Sequence, residues 1–227
     1  MPPHLDYEWQ LRTRGYHTIA GVDEVGRGCW AGPVVAAAVV LSDAVLHMPA
    51  FLQGLNDSKQ LTATQRNQLV QTIQRGAVGI GIGWVAAHDV DCFGILTATK
   101  LAMQQALMSL PLIPDALLID AVTLPDWRIS QQAIIKGDAT SLSIAAASVV
   151  AKVARDRMML QLGIHDRRYG FSQHKGYGTA QHQQALRRYG ITAQHRQTFR
   201  PISTFLATGQ WDDNADDADD AERSMVK

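Results

Sequence analysis

A chain of 227 residues with 46% hydrophobic and 19% charged content can bury a substantial core, which excludes an intrinsically disordered or fibrous protein. The formal net charge of zero hides an asymmetry: the last seventeen residues, WDDNADDADDAERSMVK, hold seven acids and two bases, leaving nineteen Lys and Arg against fourteen Asp and Glu in residues 1–210. A mildly basic body suits a polyanionic partner without requiring one.

The opening MPPHLDYEWQ lacks the basic-then-apolar order of a secretory signal. Tyr16–Glu24 reads as a strand ending on two adjacent acids, Asp23 and Glu24. Gly26–Gly28 make a turn, and Val34–Leu41 form a second strand rich in Val and Ala. The apolar run from Cys29 to Leu41 is the longest in the chain; at about a dozen residues it is too short to span a bilayer. Cys29 and Cys92 have no metal-type spacing and build no disulfide framework, so a cytoplasmic, non-membrane protein is expected. NDSKQLT begins with turn chemistry, and Thr62 can cap a helix whose Leu69, Val70 and Ile73 share one face. Ala77–Val85 reads as a third strand, and Gly94–Leu110 as a helix ended by Pro111.

Ala116–Val122 is a short apolar run holding one acid, which suits a strand buried on both faces with Asp120 near its carboxyl end. Arg128–Lys136 gives a further strand and KGDATS a turn. SLSIAAASVVAKVARDRMMLQLG predicts a long helix with a small-residue face, closed by Gly163. From His165 the chain turns basic and polar, with Ala180–Tyr189 helical, and the stretch 211–227 reads as a disordered acidic tail. Strands linked first by a hairpin and then by helices imply an α/β mixed sheet.

Asp23, Glu24, Asp120 and Asp138 each stand beside apolar or glycine-rich sequence at expected strand ends or turns. Any one of them could simply cap a helix or end a strand. Asp120 is the exception, because no Lys or Arg lies within seven positions of it. If the four converge, their repulsion demands cations, and an oxygen-only donor set suits a hard divalent ion such as Mg²⁺ or Mn²⁺. Two such ions about 4 Å apart are suited to phosphodiester cleavage. The GRG turn, Gly26, Arg27 and Gly28, permits close backbone approach to phosphate or sugar oxygens, although a solvated hairpin turn is the plainer reading.

Five blocks now stand in order: GVDEVGRGCWAGPVVAAAVVL, NDSKQLT, LLIDAV, IIKGDATSLSIAAASVVAKVARDRM and HKGYGTAQHQQAL…HRQTFRP. Together they resemble the signature blocks of bacterial ribonuclease HII and run from about residue 18 to residue 201. The resemblance implies a ribonuclease H-like fold: a mixed five-stranded sheet flanked by helices, with a small helical C-terminal lobe. Residues 1–164 would be the catalytic domain and 165–210 the substrate-binding lobe. It implies an endoribonuclease that cleaves the RNA strand of RNA/DNA hybrids. It also implies nicking 5′ to single ribonucleotides in a DNA duplex, by two-metal-ion hydrolysis leaving 3′-hydroxyl and 5′-phosphate ends. Asp23, Glu24, Asp120 and Asp138 would be both catalytic residues and metal ligands. Gly26, Arg27 and Gly28 would contact the ribonucleotide, and Tyr177 would stack near its sugar.

Lys59, Ser141, His174 and Lys175 are further candidates for substrate contact, with helix capping an equal account of Ser141. Arg167, Arg168, Arg187, Arg188 and Arg196 are candidates for salt-dependent backbone contact. Asp156 is the fallback fourth ligand. His165, His174, His182 and His195 are too unevenly spaced for a zinc site. Two departures from the family pattern stand out. Ala121 follows the third acid where glycine is usual, and Cys29-Trp30 replaces a more frequent proline-leucine type of pair. The fold is expected to act as a monomer. Rivals at this level are another nuclease of the same superfold, or a non-enzymatic hybrid-binding module.

Overall fold

The computed structural model describes residues 2–55 and 61–211. Five strands, β1 (Ile19–Val25), β2 (Val34–Leu41), β3 (Ala77–Val85), β4 (Ala116–Asp120) and β5 (Ser130–Ile134), form one sheet in the order β3-β2-β1-β4-β5. β1 is antiparallel to β2, with Asp23 opposite Ala37 and Glu24 opposite Ala36. β4 is parallel to β1, and β5 parallel to β4, where Asp120 lies opposite Ile134. The expected mixed sheet is therefore present, flanked by helices.

The helices are α1 (Asp6–Thr13), α2 (Asp43–His47), α3 (Ala63–Gly76), α4 (Ala87–Phe93), α5 (Ile95–Met108), α6 (Leu142–His165), α7 (Phe171–His174), α8 (Ala180–Tyr189) and α9 (Ile202–Thr208). Thr62 caps α3 as its sequence predicts: its hydroxyl accepts from the Gln65 amide while the Gln65 side chain accepts from the Thr62 amide. The single helix expected over Gly94–Leu110 is preceded by a second, α4, with Gly94 between them at φ +77°. Helix α6 also differs from expectation. It continues through Gly163 to His165, and a Cβ at Gly163 would stand 2.6 Å from the Ser172 amide nitrogen. Gly163 therefore admits the neighbouring chain and does not end the helix.

The chain divides into two compact units. The first comprises residues 1–25, 35–84 and 100–154, and holds nearly all of the sheet. Every residue of β2 is buried, which is why that strand reads VVAAAVVL without alternation. Ala37 and Val39 share a core with Ala145, Ala146, Val149 and Val150 of α6. Small residues on both elements bring helix and sheet close. The approach is closest at Gly21, where a Cβ would sit 2.2 Å from the Ser143 carbonyl carbon. On β3 the glycines do the same work: a Cβ at Gly81 or Gly83 would meet the carbonyl oxygens of Ala106 or Ala102 at 2.0 and 2.2 Å.

Helix α1 has no side-chain N-cap. It is fixed instead by Glu8, 1% exposed, whose Oε1 accepts from the hydroxyls of Ser141 and Ser143 at 2.7 Å each and from the Ser143 amide at 2.9 Å. The second unit comprises residues 26–34, 85–99 and 155 onward. Its core is Trp30, Met159, Tyr169, Phe171, Leu186 and Ile202. No helix among the described residues is long and apolar enough to cross a membrane.

Candidate metal centre and glycine-rich turn

The first unit carries the acids. Asp23 and Glu24 stand on β1 next to its carboxyl end, and Asp120 ends the adjacent parallel strand β4. Parallel pairing brings the carboxyl ends of β1 and β4 to the same edge, where an open α/β sheet places its ligands. One carboxylate oxygen from each of Asp23, Glu24 and Asp120 lies within 4.8 Å of the others. Asp23 is buried, 4% exposed, and its Oδ1 accepts from the Glu24 amide at 2.8 Å.

Asp120 is tied to the KGD turn, because its Oδ1 accepts from the Gly137 amide at 2.7 Å. Lys136 enters that turn at φ +57°, and Asp138 lies on the 3-10 turn Gly137–Ala139. A Cβ at Gly137 would stand 2.6 Å from Ile144 Cδ1 and 3.4 Å from Asp120 Oδ1, so only glycine lets the turn sit this close. The backbone after Asp120 turns through Ala121 at φ +54°. That is left-handed geometry, and it supplies the physical reason for a glycine preference at that position.

Burial, then Glu24 and Asp120, push the Asp23 pKa well above the ordinary carboxylate value; a hydrogen bond with Ser148 opposes the shift and Asp138 adds to it. Three of the four acids thus converge, while Asp138 stands outside that group and reaches Asp23 through its charge, as the smallest of these effects. The donor set contains oxygen alone, it is crowded, and its most buried member is destabilised as an anion. Those features fit a hard divalent cation, which would relieve the repulsion that the carboxylates impose on one another.

The second unit carries the glycine-rich turn. Gly26 adopts φ +89°, and a Cβ there would lie 2.1 Å from Arg155 Nε, so glycine is required on two counts. Arg27 and Gly28 are half-buried. Tyr177 is also partly buried: burial raises its phenol pKa, followed by interaction with the Cys29 thiol, with which it shares a hydrogen bond. The Arg155 guanidinium carbon lies 5.9 Å from the Tyr177 ring centroid. Trp30 packs beside Gly178, where a Cβ would stand 2.2 Å from the indole. That contact gives the Cys29-Trp30 pair a packing role.

Other expected site residues fall elsewhere. Ser141 is fully buried with its hydroxyl on Glu8, which moves it from a substrate face to the interior and leaves its role as a helix-start anchor. His174 is 8% exposed; Nε2 lies 2.6 Å from the Tyr169 carbonyl oxygen, and Nδ1 accepts from the Gly176 amide. Burial lowers its pKa, and both ring nitrogens are engaged by the chain's own backbone, where the ring braces the KGYG loop. Lys175 is half-buried at φ +55°, and its ammonium donates to the Ser172 carbonyl. Asp156, on the α6 segment of the second unit, acts on Tyr177 through its charge. Lys59 lies outside the described residues.

Arg167, Arg187 and Arg188 are exposed, and Arg168 pairs with Asp166 through Nε and Nη2 at 2.9 and 2.7 Å. Arg196 is not a surface residue at all. It is fully buried, as is Arg155; Arg196 binds the Gly26 and Arg27 carbonyls of the glycine-rich turn, and Arg155 binds the Ala31 and Pro33 carbonyls that follow it. Sequence reasoning missed Arg155 in that role. The available signal was its position four residues after Ala151 and four before Met159, on the buried stripe of α6.

A mixed sheet with carboxylates converging at the ends of adjacent strands defines a metal-dependent nuclease of ribonuclease H type. Residues 20–202 match the family described as Ribonuclease HII. The Ribonuclease HII of Chloroflexus aurantiacus is 56% identical over 202 residues, covering 89% of this chain and 95% of that one. Ribonuclease H2 from Pyrococcus horikoshii superposes with a TM-score of 0.70 at 24% identity, over 84% of this chain and 98% of that one. Bst-RNase HIII, solved in complex with Mn²⁺, superposes with a TM-score of 0.65 at 22% identity, over 85% and 70% of the two chains. The chain belongs to the Ribonuclease HII family and is a metal-dependent ribonuclease, with the family's activity on RNA/DNA hybrids.

Proposed function

We propose that the protein cleaves the RNA strand of RNA/DNA hybrids and nicks duplex DNA 5′ to a single embedded ribonucleotide, leaving 3′-hydroxyl and 5′-phosphate ends. The observation that carries this reading is the convergence of Asp23, Glu24 and Asp120 within 4.8 Å, with Asp138 acting on the same buried carboxylate. A pair of divalent cations, Mg²⁺ or Mn²⁺, supplies Lewis-acid activation of the scissile phosphate and of water at such a centre. Asp23, Glu24, Asp120 and Asp138 hold the cations. The Gly137 amide on Asp120 Oδ1 restrains the orientation of that carboxylate. Manganese in the Bst-RNase HIII neighbour accords with this choice of ion.

Gly26, Arg27, Gly28 and Tyr177 recognise the ribonucleotide. The 2′-hydroxyl is the group that separates RNA from DNA, and backbone amides and an aromatic ring suit it and its sugar. Residues 165–210 form the basic substrate-binding part, whose exposed Arg167, Arg187 and Arg188 serve the phosphate backbone. The enzyme acts as a monomer in the cytoplasm.

The test is nicking of a duplex carrying one ribonucleotide, in Mg²⁺ or Mn²⁺ and then in EDTA. A single nick 5′ to the ribonucleotide is expected, lost on chelation and in Asp23→Asn. Equal cleavage of an all-DNA duplex would overturn the reading.

A further inference from the structure

Arg155 and Arg196 are fully buried, and among the described residues none of their donors meets a carboxylate. A buried cation whose hydrogen bonds all go to neutral groups is costly, even with the Asp91 charge near Arg196, so its retention calls for a reason. Every donor goes to a carbonyl. Arg155 binds the carbonyls of Pro33, Ala31 and Lys175 at 2.9, 3.1 and 2.9 Å. Arg196 binds those of Arg27 through Nη1 at 2.7 Å, Gly26 through Nη2 at 2.7 Å, and Gly32 through Nη2 and Nε at 3.0 and 3.2 Å.

The strand of chain around Arg196 is itself fixed. Its amide donates to the Trp30 carbonyl at 2.8 Å, and Asp91 of α4 accepts from the amides of Gln197 and Thr198 at 2.7 and 3.0 Å. Burial lowers the Arg196 pKa to about 10, so the guanidinium keeps its charge at neutral pH.

The consequence lies in the peptide planes. In a trans peptide the carbonyl and the next residue's N–H point in opposite directions. With the Arg27 carbonyl drawn onto Nη1, the Gly28 N–H is turned to the opposite side of the turn. The Gly26–Arg27 plane is oriented the same way by Nη2. A planar fork of five donors can hold both planes and Gly32 at once, which a lysine ammonium cannot.

We propose that Arg196 is the positioning residue for ribonucleotide recognition: it sets the peptide planes of the Gly26–Gly28 turn so that the Gly28 amide is presented to the sugar hydroxyl, over a buried positive charge. This rests on the reading of the turn given above as the ribonucleotide contact. Arg155 holds the chain that follows this turn through the Ala31 and Pro33 carbonyls, and leaves Gly26 room only as glycine.

The experiment measures binding without turnover, in EDTA, by fluorescence anisotropy on two duplexes that differ in one 2′-hydroxyl. The wild type should prefer the ribonucleotide duplex by about tenfold, equivalent to about 1.4 kcal/mol. Arg196→Lys and Arg196→Gln should bind both duplexes within about threefold of each other, while their affinity for all-DNA changes little. If the wild type shows no preference, the reading of the turn itself fails. If the wild type discriminates and a folded Arg196→Lys discriminates equally, the positioning role fails and the turn reading survives. Should both variants fail to fold, the wild type decides by NMR. The Gly28 amide should shift with the ribonucleotide duplex and not with all-DNA, and equal response to both overturns the proposal.

Discussion

Glu8 accepts both the amide and the hydroxyl of Ser143, at 2.9 and 2.7 Å, across 135 positions of sequence. It thereby replaces the missing cap of one helix with an anchor at the start of another. The same oxygen takes the Ser141 hydroxyl, while Oε2 is buried with no partner. Removing the carboxylate leaves buried donors unmet, which costs about 2–3 kcal/mol. Glu8→Ala should lower the thermal midpoint by roughly 4–12 °C, and Glu8→Gln by less, since it keeps an accepting oxygen. A thermal melt of Glu8→Ala that matches the wild type would refute the anchor.

Asp23 predicts an opposition between stability and function. Its folded pKa is raised and its unfolded pKa is ordinary, so the native state binds the extra proton. Its contribution is therefore most favourable below pH 3.8 and is lost as pH rises through the raised value. In metal-free protein at pH 7 burying this carboxyl is a burden, whether as an anion or through the proton it must take up, and Asp23→Asn should raise the melting temperature while abolishing cleavage. The gain should shrink as pH falls toward 4. Added Mg²⁺ or Mn²⁺ should stabilise the wild type and have little effect on the variant, which differential scanning fluorimetry can read.

Ala121 sits at φ +54°, where a Cβ costs about 1–2 kcal/mol and glycine's extra unfolded-state freedom returns about 0.5–1 kcal/mol of that. Ala121→Gly should raise the melting temperature by roughly 1–4 °C and retain cleavage. A fall in stability would show that the methyl is packed favourably enough to outweigh the strain.

His182 and His195 face each other with Nε2 atoms 3.1 Å apart, both buried. Burial, with the neighbouring histidines adding, pushes the His182 pKa down to about 3; burial first, then His174, brings His195 to about 4. Both native values lie below the unfolded value near 6.5, so the unfolded chain binds more protons as pH falls. Stability is full above pH 6.5 and declines below it, by up to about 1.4 kcal/mol per pH unit for each ring. Urea melts between pH 7 and 4.5 should show this slope, and His182→Gln should flatten it.

Much of the sheet was legible because its strands are unusually plain. VVAAAVVL and ALLID are continuous apolar runs, and the acid that ends ALLID has few innocent explanations. Thr62 announced its helix through a capping box that local chemistry alone specifies. Helix α1 was not legible, since it lacks a side-chain cap and is held by a glutamate whose partners lie more than 130 residues away. Ser141 and His174 misled for a related reason: hydroxyl and imidazole look alike in sequence whether they face water or an internal acceptor. Arg196 was the largest error, because an arginine in the polar stretch HRQTFRP reads as surface until the carbonyls it binds are brought to it by the fold.

The pairing of Arg196 with Gly26 and Arg27 spans 170 and 169 positions, and it bears on how the chain is made. Synthesis delivers Asp23, Glu24, Asp120 and Asp138 to the growing polypeptide long before residue 196 leaves the ribosome. Until then the turn beside the first two acids has no guanidinium to order its carbonyls. All four acids are therefore present in a nascent chain well before the guanidinium that shapes the turn following the first two in sequence.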